Sequence, residues 1–418
     1  MQEDRYAVLK ISDFRNYVFA RFFAVIAVQI QRVIVGWQVY SLTNDTFAIG
    51  LVSLCEIIPS ISVSFISGFV ADIIDRKKII LASCTLLLFC SIGLLITTLY
   101  GFKIFNSQVY VIYLIIFISG IARGFLHPSL AAFMAQLVPK QYYPYSSAWN
   151  SISWQIGAVI GPLLGGILYA FSDGPKLGYI TDSCLLCIAI LFYFFIKPKS
   201  IPEKKEKESI WYSLTSGFKF VFSNQLLLGA MSLDLFAVLF GGAVALLPAF
   251  ARDVLYIGPE GLGYLRSAPA VGAAFTAVTL ANFPIKKNAG KKLLFAVAGF
   301  GISMILFALS KELIISLLFL AMSGMFDSVS VVLRATIVQT FTPDQMRGRV
   351  ASVNSIFIGS SNEIGDFESG TAAKFMGLVP SVVFGGCMTL LVVLITTYKA
   401  PKLRDLNFGI DNDTDKKN

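Results

Sequence analysis

Long apolar stretches separated by short polar turns run along almost the whole chain. Each stretch has about 20 residues or more, which is the length that an α-helix needs to cross the hydrocarbon core of a bilayer. Twelve segments can be delimited, at 17–41, 48–74, 79–100, 108–136, 146–171, 178–196, 224–251, 259–283, 292–310, 312–340, 347–373 and 378–398. The pattern predicts an all-α membrane protein with twelve transmembrane helices.

A polar stretch divides these segments into two sets of six. Residues 197–210 read KPKSIPEKKEKESI, which is charge-dense, contains proline and is typical of a linker. Apolar residues then recur at helical spacing, at Trp211, Leu214, Phe218, Val221 and Phe222. This spacing predicts an amphipathic helix on the inner membrane surface. We therefore predict an N-terminal six-helix bundle at 1–196, a cytoplasmic linker with an amphipathic helix at 197–222, a C-terminal six-helix bundle at 223–404 and a disordered cytoplasmic tail at 405–418.

Most of the 34 Lys and Arg residues lie on one predicted side of the membrane. They occupy the amino terminus, the loops that follow even-numbered segments and the carboxyl tail. The opposite loops hold Lys103, Lys176, Arg252 and Lys311. The positive-inside rule therefore predicts a multi-pass protein of the cell (inner) membrane with both termini in the cytoplasm. The same distribution accounts for the net charge of +9 without a nucleic-acid partner.

Composition argues against several classes of function. Charged residues make up 14% of the chain, against roughly a quarter in soluble domains. The chain has one histidine, so Ser-His-Asp triads and histidine metal sites have almost no residues to be built from. It also has no Walker loop, no metal-ligand spacing and no nucleophile elbow. We expect no enzymatic activity, no metal, no cofactor and no direct drive by ATP.

An internal repeat supports the division into two halves. With an offset of 204 residues, SGIARGF (119–125) aligns with SGMFDSV (323–329), Gly161 aligns with Gly365, and Gly166 with Gly370. Duplicated halves with a site between them are typical of secondary transporters. The repeat predicts two six-helix pseudo-repeats that work by alternating access.

The turn after segment 2 carries the first recognisable motif, GFVADIIDRKK (68–78). It resembles the signature loop of the major facilitator superfamily at Gly68, Asp72, Arg76 and Lys77, although positions 73 and 75 depart from that pattern. A glycine allows close helix approach, and an aspartate at a helix end can pair with a nearby arginine or a helix amino terminus. Such a pair would act as a conformational latch. The alternative is positive-inside anchoring alone.

Two further motifs resemble the same superfamily. GIARGF (120–125) places Arg123 inside segment 4, where an arginine is costly and is usually functional or paired. Segment 5 contains GAVIGPLLGG, which resembles the glycine-proline motif of antiporters at Gly157, Gly161, Pro162, Gly165 and Gly166. Small residues allow close helix packing, and proline permits a bend. Tight packing alone would also explain this motif.

The closer resemblance, over essentially the whole chain, is to the branch that includes enterobactin exporters and macrolide-efflux proteins. The stretches 234–255 and 346–365 carry it. The resemblance implies the major facilitator fold and a proton-coupled exporter, or antiporter, of an amphipathic small molecule such as a siderophore or macrolide-like drug. The proton gradient would be the energy source. The alternatives are a proton-independent facilitator or importer, and a transporter-like receptor or lipid-handling protein. We expect a monomer whose partners are its substrate and the lipid bilayer.

Acidic residues within the segments are candidates for proton coupling, because such groups in a membrane usually mark ion or substrate paths. The candidates are Asp366, Glu363, Asp234, Asp327 and Glu56. Glu363 and Asp366 are three residues apart and share a helix face, and two such neighbouring carboxylates would share one proton. Asp327 aligns with Arg123 in the repeat, and Arg334 follows on its face, so a gate, an ion pair or a proton site are all open.

Polar and aromatic residues also suggest a substrate cavity. Gln29 and Arg32 share one face of segment 1, Trp154 and Gln155 lie in segment 5, and Arg266 lies in segment 8. A cavity lined by these five residues would suit an amphipathic or anionic ligand with aromatic parts.

Overall fold

The structure, a computed structural model, describes residues 7–101, 108–199, 210–283, 285 and 287–408. These residues form helices joined by short turns. The α-helices are α1 (Ser12–Thr43), α2 (Thr46–Ile73), α3 (Arg76–Tyr100), α4 (Gln108–Leu137), α5 (Tyr143–Phe171), α6 (Lys176–Phe194), α7 (Ile210–Ser223), α8 (Gln225–Gly241), α9 (Leu247–Ala249), α10 (Pro259–Asn282), α11 (Ala289–Leu309), α12 (Leu313–Phe341), α13 (Arg347–Met376), α14 (Leu378–Lys399) and α15 (Pro401–Arg404).

Ten helical stretches of the described chain are long and apolar enough to cross a bilayer. The helices α10 and α13 lie at two further predicted segments but are not among these ten, because they carry more polar residues. The predicted all-α membrane fold is confirmed, while the count of twelve crossings stays a prediction.

Short polar residues set the turns between neighbouring helices. Asn44 ends α1 in the left-handed conformation (φ 50°), which asparagine tolerates better than most residues. The next residue, Asp45, begins α2 by accepting a hydrogen bond from the Phe47 amide at 3.0 Å. Asp75 caps α3 in the same way, through the Lys77 amide at 2.9 Å. Such caps satisfy amide groups that have no partner within the helix.

The chain divides into two compact units. The first comprises Met1–Lys205 and Leu247–Ser267, and the second comprises Glu206–Leu246 and Ala268–Asn418. The stretch Leu247–Ser267, which lies inside the predicted C-terminal bundle, thus packs with the first six helices.

Predicted segment 7 (224–251) corresponds to the candidate membrane span Gln225–Val254, but this span is not one continuous α-helix. The helix α8 ends at Gly241, and Gly242 is extended, with φ −82° and ψ 97°. The chain then continues through a short 3₁₀ turn, α9 and a π-helical turn at Phe250–Val254. Two adjacent glycines explain the break, because each weakens a helix by about 1 kcal/mol relative to alanine.

Aromatic residues build the core of the first unit. Tyr17 of α1 is buried between Phe133 of α4 and Tyr193 of α6, with ring centroids 6.5 and 6.3 Å away. The Tyr17 hydroxyl donates to the Leu130 carbonyl at 3.2 Å, so its polar end is satisfied inside the core. These contacts join three helices at one level of the unit.

In the second unit, the linker helix packs into the core. Val221 of α7 is fully buried, and Phe218 packs beside it. Gly217 lies against the backbone of Arg349 in α13, where an added Cβ would be 2.9 Å from the Arg349 carbonyl oxygen. The linker residues 200–209 lie outside the described residues. Contact with the membrane surface stays a prediction for α7.

Part of the predicted tail is described and contacts the second unit. The Gly290 amide donates to the Leu406 carbonyl at 3.2 Å, and the Asn288 amide donates to Asn407 Oδ1 at 2.6 Å. Residues 405–408 therefore lie against the start of α11. Residues 409–418 lie outside the described residues, and so does the prediction of disorder there.

Candidate functional site

A buried ion-pair cluster joins α1, α2 and α4. Glu56 of α2 accepts from Arg32 of α1 at 2.8 Å and from Arg123 of α4. Arg123 is only 4% exposed, whereas the side chain of Arg32 is 37% exposed. The predicted intramembrane arginine and the candidate Glu56 therefore form one site. Two cations face one carboxylate, so Glu56 is held by charge on both sides.

Gly120 makes this pairing possible. A Cβ at Gly120 would come within 2.7 Å of Pro59 Cγ and would clash with the Glu56 carbonyl oxygen. One turn on, a Cβ at Gly124 would lie 2.7 Å from the Ser60 carbonyl oxygen. These two glycines let α4 approach the backbone of α2, and that approach brings Arg123 to Glu56.

The same cluster extends through a glutamine to a buried acid. Gln31 of α1 accepts from Arg123 Nη2 at 3.4 Å through its Oε1. The Gln31 amide nitrogen donates to Ser91 Oγ of α3 at 3.1 Å and to Asp182 Oδ2 of α6 at 3.4 Å. Ser91 in turn donates to the same Asp182 oxygen at 2.6 Å. A continuous polar network thus crosses the first unit from Arg32 to Asp182.

The second unit holds a cluster of its own between α8 and α12. Asp234 of α8 forms a buried ion pair with Arg334 of α12. Asp327, two helical turns before Arg334, interacts electrostatically with both of these residues. The buried ion pair therefore has a second buried carboxylate within its electrostatic range. Asp327 and Arg334 share one helix, and the structure brings Asp234 from a distant part of the sequence to them.

Glu363 and Asp366 lie half-buried on α13. Between them Gly365 approaches α8, where an added Cβ would be 2.8 Å from the Leu239 carbonyl oxygen. Three residues after Asp366, Ser369 donates to the Gly242 carbonyl at 3.0 Å. This part of α13 therefore lies beside the break that follows α8. Whether this acid pair binds a proton stays a prediction.

The glycine-proline motif of α5 has two contact faces. On one face, a Cβ at Gly157 would lie 2.5 Å from Val25 Cγ1, and a Cβ at Gly161 would lie 2.5 Å from Gln29 Cβ. Gly165 continues this face against Ile30 of α1. Pro162 and Gly166 take part in the second face.

That second face packs against the start of α10. A Cβ at Gly166 would clash with the Pro259 carbonyl oxygen and would lie 3.0 Å from Gly263 Cα. A Cβ at Gly263 would in turn lie 2.7 Å from the Pro162 carbonyl oxygen. Ser267 donates to the Val159 carbonyl at 2.8 Å. Close backbone packing thus fixes the start of α10 to α5.

The π-helical turn completes this attachment on α1. The Tyr40 hydroxyl donates to Asp253, and the Arg252 guanidinium lies 5.8 Å from the centre of the Tyr40 ring. Gly36 lies beside Pro248, where an added Cβ would be 3.4 Å from its Cγ. The Tyr40 side chain therefore contacts both Asp253 and Arg252 of the same turn.

The residues of the predicted latch fall into two groups. Arg76 donates to the Ala132 carbonyl near the end of α4 at 3.1 Å. Lys77 Nζ donates to the Phe194 and Ile196 carbonyls at 2.8 and 2.5 Å, at the end of α6. Both cations therefore hold helix carboxyl ends within the first unit. The surroundings of Gly68 and of the Asp72 side chain lie outside what the structure describes, so the latch stays a prediction.

The candidate cavity residues lie on three helices of the first unit. Gln29 packs against Gly161 of α5, and Arg32 pairs with Glu56. Trp154 is exposed on α5, with Gln155 half-buried beside it. Arg266 lies on α10, with its Nη2 near Gly36 of α1. Their joint role in substrate binding stays a prediction.

Sequence reasoning missed three members of the first cluster, Gln31, Ser91 and Asp182. Serine is common in membrane helices and gives no signal by itself. Asp182 can be seen in the sequence as an acid within segment 6, but nothing in its spacing connects it with Arg123. The missing information was the rotation of α6, which sets the face that Asp182 occupies.

Curated relatives resemble the chain along nearly its full length. The enterobactin exporter EntS of Shigella flexneri is 26% identical over 392 residues, which cover 94% of this chain and 92% of that protein. The enterobactin exporter EntS of Escherichia coli O1:K1 gives the same figures.

Solved structures share the fold at lower identity. A POT family transporter in complex with 5-aminolevulinic acid superposes with a TM-score of 0.72 and 13% identity, over 93% of this chain and 96% of that chain. A D-xylose–proton symporter gives a TM-score of 0.71 and 13% identity, over 96% and 99% of the two chains. At this identity the likeness shows the fold alone.

The family whose members are described as transmembrane secretion effectors matches residues 4–413. This match spans both units and both polar clusters. It agrees with the exporter relatives, with the fold and with the motifs in α2, α4 and α5. The chain therefore belongs to the transmembrane secretion effector family of the major facilitator superfamily, whose members are multi-pass membrane transporters and not enzymes.

Proposed function

We propose that this protein is a proton-driven exporter that carries an amphipathic small molecule of the siderophore class out of the cell. The observation that carries the coupling is the cluster of Asp234, Asp327 and Arg334. The exporter relatives, which are named for enterobactin, support the direction and the class of substrate.

The charge balance of the cluster explains how it would bind a proton. With both carboxylates ionised, the three groups carry one excess negative charge in a place largely closed to water. The repulsion between two carboxylates is stronger in such a place than in bulk water, because the effective dielectric constant is lower. One proton on either acid removes this repulsion and leaves a neutral carboxylate–guanidinium pair. The cluster is therefore suited to hold one proton.

Proton binding and release would then act on the packing of two helices. Asp234 belongs to α8, whose continuation is broken at Gly242, and its two partners belong to α12. With the proton bound, Arg334 needs only one of the two acids. Without it, Arg334 must serve both. Each protonation state thus favours a different arrangement of α8 and α12, which is what linkage between a proton and a conformational change requires.

Substrate binding would use the first unit. Arg32 offers a partly exposed cation, and Trp154 offers an exposed aromatic surface. Siderophores combine anionic oxygens with apolar or aromatic parts, so both groups have a use. An anionic substrate on Arg32 would also compete with Glu56 for that cation.

Transport in sealed proteoliposomes with an imposed pH gradient tests the proposal. The lumenal pH is followed while siderophores, macrolides and dyes are added in turn. We expect one compound to trigger proton movement that a protonophore abolishes and that Asp327→Asn reduces at least tenfold. The exposed loop acid Asp173 provides the control, since Asp173→Asn should transport at the wild-type rate.

Two results would contradict the proposal. Substrate flux with no proton movement would identify a facilitator instead of an antiporter. Proton-coupled flux at the full rate in both Asp234→Asn and Asp327→Asn would remove this cluster as the coupling site, and would direct the search to Glu363 and Asp366.

A further inference from the structure

Asp182 is an acid that the proposed coupling cluster does not use. Its side chain is fully buried on α6, with α1 and α3 packed against it. Both of its hydrogen-bond donors, Ser91 and Gln31, are neutral, and both donate to the same oxygen, Oδ2. The other oxygen, Oδ1, is closed to solvent and has no hydrogen-bond partner among the described residues.

The charged groups around Asp182 do not neutralise it directly. Among the described residues, no lysine or arginine forms an ion pair with it. The nearest cation of the network, Arg123 on α4, reaches it through the amide of Gln31, and Arg123 is itself paired with Glu56 of α2. The other titratable neighbours are Cys90 on α3 and Tyr179 on α6.

These surroundings favour the uncharged form of Asp182. An ionised carboxylate in a protein interior needs a cation or several donors, because burial removes its hydration. Asp182 has two neutral donors on one oxygen and none on the other. A carboxylic acid avoids the cost of the buried charge, and leaving one hydroxyl without an acceptor is the smaller penalty.

We propose that Asp182 is a second proton-binding group of this transporter, protonated in the present conformation and deprotonated when its network rearranges. The reaction is the exchange of one proton between the carboxylate and water. This inference rests on the proposed function, because it adds a proton site in the first unit to the coupling site in the second.

Gln31 provides the connection to the rest of the molecule. Its amide oxygen accepts from Arg123, and its amide nitrogen donates to Ser91 and Asp182. When a substrate anion on Arg32 or a helix movement shifts Arg123, the Gln31 amide loses its hydrogen bond from Arg123 and is able to turn. With the Gln31 amide turned and Arg123 closer to Asp182, the carboxylate form of Asp182 is stabilised. The proton then passes from Asp182 to water. Release at Asp182 is thereby tied to the cluster that binds Arg32.

Infrared difference spectroscopy of the full-length protein in lipid vesicles tests this directly. The probe is the proton alone, applied as a stepwise change of pH between 5 and 10. We expect a carbonyl band of a protonated carboxylic acid that disappears as the pH rises and that is absent in Asp182→Asn. The control Asp173→Asn, in an exposed loop, should keep the band.

Ser91→Ala gives a second test that keeps the acid in place. Loss of its hydrogen bond should move the same band to higher frequency, because hydrogen bonding weakens the carbonyl bond, and should move its titration to higher pH. A wild-type band that is retained in Asp182→Asn, and that Ser91→Ala leaves unmoved, would overturn the proposal. A band from Asp182 that persists unchanged to pH 10 would also overturn it, because the acid would then be a fixed structural group.

The two proposals fail in different ways. Proton-coupled transport without an Asp182 band would contradict this inference and leave the proposed function standing. If the Asp182 band titrates but transport moves no protons, the proposed function is contradicted. The inference that Asp182 binds a proton then still stands. The number of protons moved per substrate, which should fall from two to one in Asp182→Asn, measures both together.

Discussion

Removing Arg334 should destabilise the protein more than removing either of its acids. In Arg334→Gln, Asp234 loses its ion pair and faces Asp327 with no cation between them. Breaking a buried ion pair by deleting one partner costs about 3–5 kcal/mol. In Asp234→Asn, Arg334 still has Asp327 nearby, so the loss should be about half as large. Arg334→Gln should thus be less stable than Asp234→Asn, because two carboxylates lie near one arginine.

Combining the two changes should restore part of the stability. In the double variant Asp234→Asn/Arg334→Gln, the Asp234–Arg334 pair is replaced by neutral groups, which is often close to neutral, but buried Asp327 has lost Arg334 as a neighbour. We therefore expect the double variant to be less stable than wild type, with a loss smaller than the sum of the two single losses. Its transport should nevertheless remain uncoupled, since the proton site has lost its arginine.

Thermal unfolding of the purified protein in detergent, followed by tryptophan fluorescence, measures these differences. For a unit of this size, 3–5 kcal/mol corresponds to a fall in Tm of about 10 °C. Equal losses in Arg334→Gln and Asp234→Asn would refute the shared-arginine argument. A double variant as unstable as the sum of the singles would show that the two residues act independently.

Three further predictions concern backbone packing and helix ends, and the same unfolding assay checks each of them. Gly120→Ala should cost about 1–3 kcal/mol, because its Cβ has no room beside α2, whereas Gly348→Ala, with open space around it, should be neutral. Gly166→Ala should cost a similar amount through the clash with the start of α10, and no loss relative to Gly348→Ala would argue against that packing. Lys77→Ala should cost about 1–2 kcal/mol, because two carbonyls at the end of α6 lose their donor. Lys78→Ala, at an exposed position, should have little effect on stability. Equal effects of the two substitutions would contradict the capping role of Lys77.

The sequence could predict the features that depend on local patterns of residues. The apolar segments predicted the helices because a membrane helix needs an uninterrupted apolar length. The internal repeat aligned Gly120 with Gly324, and both positions turn out to be close helix crossings: a Cβ at Gly324 would lie 2.6 Å from Pro269 Cα. Arg123 was recognisable because a charge at membrane depth needs a partner.

The ion-pair partners of these residues could not be predicted, because the local sequence does not show how each helix is rotated about its axis. Arg123 and Glu56 were both candidates, yet nothing in their spacing indicated that they pair. Arg334 was expected beside Asp327 on its own helix, and its ion pair with Asp234 of α8 depends on how two distant helices meet. The break at Gly242 was hidden by the apolar residues around it, since hydropathy averages over a glycine pair.

The attachment of Leu247–Ser267 to the first six helices has a consequence for how the protein is made. When the ribosome has produced the first six helices, Gly166 and Tyr40 still lack their partners in that stretch. The first unit therefore remains incomplete until the chain has been made as far as Ser267, 73 residues past the end of α6 at Phe194, although its first six helices are already present. During this interval the α5 backbone at Gly166 has no helix packed against it from the start of α10. Biosynthesis of the two halves is thus interleaved, and a truncated chain that ends in the linker would lack a packing surface which the full-length chain supplies from its second half.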